Sequence, residues 1–109
     1  MPTHQAEPYH AEDVEDALHE RGFDHLRARK YGNAVIVESG PKADPVKHMR
    51  LRRDTVHLWC LDFAKHTGKW EKTPFRATID ELLEMVTTQF PWTIADVFGN
   101  PERTSDREH

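Results

Sequence analysis

Residues 25–39, HLRARKYGNAVIVES, decide the fold. Gly32 and Asn33 at the centre both tolerate positive φ, which suits a two-residue hairpin turn, and His25 to Tyr31 and Ala34 to Ser39 supply its arms. Side chains alternate across a strand, so Leu26 and Ala28 point one way while Arg27, Arg29 and Tyr31 point the other. An arm that is apolar on one side and cationic on the other predicts an antiparallel sheet with one face on a core and one in solvent.

Toward the C-terminus, residues 39–45 (SGPKADP) read as a loop in which Pro41 and Pro45 remove two ladder donors. Val46 to Arg52 and Thr55 to Ala64 then pair around Arg53-Asp54, with Met49 and Leu51 opposing His48, Arg50 and Arg52. His66-Thr67-Gly68 turns the chain, and Lys69 to Thr73 returns as a fifth strand that Pro74 ends. Thr78 and Glu81 have the spacing of a capping box, and Ile79, Leu82, Leu83, Val86 and Phe90 keep helical spacing up to Pro91. Trp92, Ile94, Val97 and Phe98 form an apolar segment expected to dock on the core or meet a partner.

Toward the N-terminus, His10 to Phe23 reads as a helix. Glu12, Asp13, Glu15 and Asp16 crowd its first turns, where the macrodipole favours negative charge, and Val14, Ala17 and Leu18 share a face. Gly22 sits at the C′ position, with Leu18 and Phe23 spaced to close a Schellman ending. The expected fold is α+β in the order α-β-β-β-β-(β)-α: an antiparallel sheet of four or five strands with the N-terminal and C-terminal helices on one face. Residues 10–98 form a single domain, and 1–9 and 99–109, which lack apolar periodicity, read as flexible tails.

No apolar run approaches the roughly 18 to 20 residues of a membrane helix, and no secretory signal opens the chain, so a soluble cytoplasmic protein without a membrane partner is expected. The single cysteine, Cys60, excludes an intramolecular disulfide and reads as a buried thiol.

The net charge of -4 conceals a strong segregation. Residues 1–24 sum to -6, 25–53 to +6, 54–77 to +1 and 78–109 to -5, so acidic helices bracket a basic sheet. With the aliphatic side chains inward, the outer face presents Arg27, Arg29, Arg50 and Arg52 with Tyr31 and His48 among them. Guanidinium groups reach phosphate oxygens and aromatic rings stack on unpaired bases. A half-buried sheet needs a polar outer face in any case, and basic strands also deter edge aggregation.

Catalytic signatures are missing: there is no Gly-x-Ser-x-Gly elbow, Cys-x-x-Cys pair, phosphate-binding Gly-x-x-x-x-Gly-Lys loop or Gly-x-Gly-x-x-Gly fingerprint. His57, Cys60 and His66 come closest to a metal set, but strand parity sends His57 and Cys60 to opposite faces. Residues 12–31, an acidic helix ending in Arg21-Gly22-Phe23 and followed by a basic strand, resemble the opening of resolvase-type and restriction-type nucleases. That resemblance implies an acid-x-Lys pair downstream, and no Asp or Glu here has Lys two positions later. The order of elements is also similar to double-stranded-RNA-binding domains, whose lysines at the start of the second helix are replaced here by Asp80 and Glu81.

The sequence therefore points to a non-enzymatic binding module whose basic sheet face contacts an anionic partner, foremost nucleic acid, with no cofactor, metal or catalytic residue assigned. Arg27, Arg29, Arg50 and Arg52 are the phosphate contacts, with Tyr31 and His48 beside them. A second reading is an antitoxin-like regulatory subunit or homodimer that meets a protein through Trp70, Trp92, Phe98 and the C-terminal helix. A third is an enzyme with an acid-base group of His57, His66 and Glu71.

Overall fold

The computed structural model describes residues 4–96. The elements are α1 (Pro8–Glu20), β1 (Arg27–Tyr31), β2 (Ala34–Ser39), β3 (Val46–Arg53), β4 (Trp59–Ala64), β5 (Trp70–Ala77), α2 (Ile79–Gln89) and a 3-10 turn over Pro91–Ile94. The five strands form one antiparallel meander in the order β1-β2-β3-β4-β5. Neither helix is long and apolar enough to cross a membrane.

The opening hairpin forms as its residues dictate. Tyr31 pairs with Ala34 and Arg27 with Glu38, and Gly32 alone takes a positive φ, 62°, the pattern of a type II′ turn. The sheet's apolar face carries Val35, Val37, Met49, Leu51 and Leu61. Val14 and Leu18 of α1, Leu82, Leu83 and Val86 of α2, and Ile94 join them in one buried cluster, so both helices lie on that face. Fully burying each such aliphatic side chain is worth about 1.5–3 kcal/mol, which fixes the strand register, because a one-residue slip would turn the whole set into water.

The helix ends follow local chemistry. Gly22 has φ 95°, its N–H donates to the His19 carbonyl (3.0 Å), and the Phe23 N–H donates to the Leu18 carbonyl (3.0 Å), the two bonds of a Schellman ending. Thr78 and Glu81 form the reciprocal capping box of α2.

Four expectations need correction. The chain is docked before residue 10: α1 begins at Pro8, Ala6 is fully buried, its N–H donates to the Gly32 carbonyl, and Arg53 Nη1 donates to the Gln5 carbonyl (2.7 Å). One alanine and main-chain hydrogen bonds dock this segment, which apolar periodicity does not reveal, and the earlier start leaves the first turn of α1 without an acid. β4 begins at Trp59 rather than Thr55, because the Leu58 carbonyl accepts from the Asp54 N–H (2.8 Å) and closes a loop that holds His57. β5 runs through Pro74 to Ala77, which a strand on the sheet's edge tolerates. Cys60 is only partly buried. Val97, Phe98 and the proposed tail 99–109 lie outside the described residues, whereas Ile94 is fully buried against the core.

Candidate nucleic-acid interface

The strand register assigns the outer face row by row. One row runs Tyr31, Ala34, Arg52, Cys60, Arg76; the next runs Arg29, Ile36, Arg50, Asp62, Lys72; a third runs Arg27, Glu38, Lys47. The four arginines proposed from strand parity therefore share this face. Ile36 is only 4% exposed although it lies between Arg29 and Arg50 on the side away from the helices, where long side chains of this kind can lay their aliphatic stems over an apolar neighbour.

Two carboxylates lie beneath the guanidinium groups. Asp62 is fully buried and accepts from Arg52 Nε (2.6 Å) and Nη2 (3.1 Å) and from Arg50 Nε (2.8 Å). Burial pushes its carboxyl up, but the hydrogen bonds from Arg52 and Arg50 outweigh this and hold it below the usual aspartate value. The bond to Asp62 likewise holds Arg52 above its ordinary value. Glu38 takes the other pair: Arg29 Nε reaches both its oxygens at 3.2 Å, and Arg27 Nη2 lies 3.8 Å away without a hydrogen bond, while Arg27 Nη1 donates to the Gly40 carbonyl (2.6 Å). A guanidinium carries five N–H donors, so these bonds orient each arginine and leave donors over. Side-chain exposures of 29% for Arg27, 43% for Arg29, 21% for Arg50 and 29% for Arg52 keep them within reach of a ligand.

Two aromatic rings flank the arginines. Tyr31 is 67% exposed on β1, with the Arg29 guanidinium 5.7 Å from its ring centroid. Trp70 stands on β5, paired with Ala64, and the Arg50 guanidinium lies 4.6 Å over its indole. A hollow of about 390 Å³ is lined by Trp70 together with Pro45, Lys47, Lys65, His66 and Lys69. It abuts a wider hollow of about 830 Å³ along β1, which Arg27, Arg29, Glu38 and Lys42 line, and the two share Pro45 and Lys47. The lysines of these hollows hold no ion pair among the described residues. They escaped strand-parity reasoning because Lys42, Lys65 and Lys69 lie in loops; the run of basic residues around His66-Thr67-Gly68 was the available signal.

His48 does not join this face. A register shift at Val37/Glu38 turns it toward the helices, where Nδ1 donates to the Thr93 carbonyl (3.2 Å) and Nε2 accepts from Ser39 Oγ (2.7 Å). Burial lowers its pKa, partly offset by the bond to Thr93. The three tryptophans occupy separate settings. Trp59 is buried against His10 (4.9 Å between centroids), Trp70 stands on the outer face, and Trp92, 69% exposed, packs edge-on against Phe90 (5.7 Å). His57 and His66 occupy the loops at opposite ends of β4, and Glu71 lies across from Phe63, so the acid-base group is not assembled. Among the described residues no three His, Cys, Asp or Glu side chains are grouped to hold a metal ion. Comparison with protein-family models, curated proteins and solved structures gives no match, so the reading of this face rests on its own residues.

Proposed function

We propose that the protein is a nucleic-acid-binding module whose helix-free sheet face meets the phosphate backbone. The observation that carries this reading is the composition of that face: Arg27, Arg29, Lys47, Arg50, Arg52, Lys72 and Arg76 outnumber the carboxylates Glu38 and Asp62 in the outward rows, and Tyr31 and Trp70 stand among them. Phosphate binding needs cations that are held in place and still have donors to give, which the Asp62 and Glu38 bonds provide. Glu38 and Asp62 are buried, so the surface that a ligand meets is cationic although the chain as a whole is anionic. A cytoplasmic setting, with nucleic acid at hand and conditions that keep Cys60 reduced, fits this role.

Titration of labelled DNA and RNA oligonucleotides tests the reading. Contact with about four phosphates of a single strand gives a salt slope near -3, so affinity falls on the order of fifty-fold between about 50 and 200 mM salt. Arg29→Gln, at the most exposed of the four arginines, weakens binding without disturbing Asp62. Absence of binding at low salt, or binding indifferent to salt and to this substitution, overturns the proposal. The protein-interaction reading retains one favourable observation, the exposed Trp92.

A further inference from the structure

We propose that the hollow beside Trp70 receives an unpaired nucleobase, with the adjoining phosphate on Lys65, Lys69 and Lys47, so that the protein selects single-stranded over duplex nucleic acid. This inference rests on the nucleic-acid reading above and assigns that face its ligand class.

The hollow differs from the rest of the face in its charge balance. Every arginine of the outer rows leans on a carboxylate, whereas the residues lining this hollow include three lysines and His66 and no acid. An ammonium without a partner gives its full charge to an incoming anion and loses no internal ion pair in doing so. The backbone brings these groups together: the Lys65 N–H donates to the Lys69 carbonyl (2.8 Å) and the Gly68 N–H to the Lys65 carbonyl (3.0 Å), with Gly68 at φ 90° making the reversal. Lys65 and Lys69 therefore bracket the turn directly before Trp70, and Lys47 closes the hollow from β3.

Trp70 supplies a platform held in place before binding. Its strand position is fixed by pairing with Ala64, and its indole is held by Arg50, which does not line the hollow. Base-aromatic stacking needs an accessible π-face, which a base within a duplex hides against its neighbours and a single strand offers freely. The volume of about 390 Å³ lies in the range of small-ligand sites and is matched to one nucleotide rather than to a double helix. The shared Lys47 leads from this hollow into the one along β1, where Arg27, Arg29 and Lys42 stand with Glu15, Glu38 and Asp44, so the uncompensated cations are concentrated at the Trp70 end.

The test compares a short labelled oligothymidylate with a duplex of equal length, using the full chain and a circular dichroism check of each variant. The single strand is expected to bind more tightly than the duplex and to quench tryptophan fluorescence. Trp70→Leu weakens single-strand binding by about 5- to 150-fold and weakens duplex binding by a smaller factor, so the preference for the single strand shrinks. The surface pair Lys65→Gln and Lys69→Gln, which removes no core contact, lowers the single-strand salt slope by about 1.4. Equal affinity for both forms, or single-strand binding untouched by either variant, overturns this inference while leaving the nucleic-acid function standing. Failure to bind either form overturns both.

Discussion

A carboxylate with no solvent exposure survives in a sheet when guanidinium groups compensate it, and for Asp62 those are Arg50 and Arg52. Replacing Asp62 by Asn keeps the shape and removes the charge, leaving two arginines crowded without their shared acceptor. Breaking a fully buried pair costs about 3–5 kcal/mol; the partial exposure of both arginines lowers the expected loss to about 2 kcal/mol, read from urea denaturation. The pH dependence has a definite sign. Because the folded state holds this carboxyl below the ordinary aspartate value of 3.8, the ion pair's contribution is complete above that value and is lost as pH falls through the lower folded-state value. Wild type should therefore lose stability on acidification below about pH 4 more steeply than Asp62→Asn, and parallel acid limbs would contradict this. At this scale the four arginines were legible because parity along a strand is a local rule. His48 was not, because the bulge that reverses it depends on how β2 and β3 pair.

Helix ends are settled within a few residues of chain, and both endings expected from the sequence are present. Gly22 tests the first of them. Its φ of 95° is strained for any residue with a Cβ, while nothing lies within 4 Å of a Cβ built there. Gly22→Ala therefore isolates the backbone term and should destabilise the protein by about 1 kcal/mol, measured as a lower urea midpoint at unchanged slope. A neutral result would show that α1 ends some other way. The strands were less legible at their limits. Pro74 ends a strand in an interior position, yet β5 is an edge, and the Thr73 hydroxyl donates to the Leu61 carbonyl (2.7 Å) where the register shifts. Nothing near Pro74 in the sequence announces that the strand lies on an edge.

Across the whole molecule, acidic helices occupy one side of the sheet and cations the other. Exposed Glu12, Asp13 and Asp16 of α1 and Asp80, Glu81 and Glu84 of α2 carry the anionic side, and the link between the helices, Arg21 to Glu84 at 3.6 Å, is a surface pair of little energetic weight. Such a dipolar molecule turns its basic face toward a polyanion and its acidic face away, which orients an encounter even at a net charge of -4. The separation was readable from the running charge along the chain. The hollow at Trp70 was not, because it assembles from the ends of three strands that only the folded meander brings together.

The central claim is that the helix-free face of the sheet is the binding surface. Amide and indole NMR shifts recorded during titration with a single-stranded oligonucleotide test it most directly. The account predicts perturbations at Arg29, Arg50, the Lys65 to Lys69 turn and the Trp70 indole N–H, with the exposed Asp80, Glu81 and Glu84 of α2 unmoved. Shifts confined to Trp92 and α2, or none at saturating oligonucleotide, would contradict it.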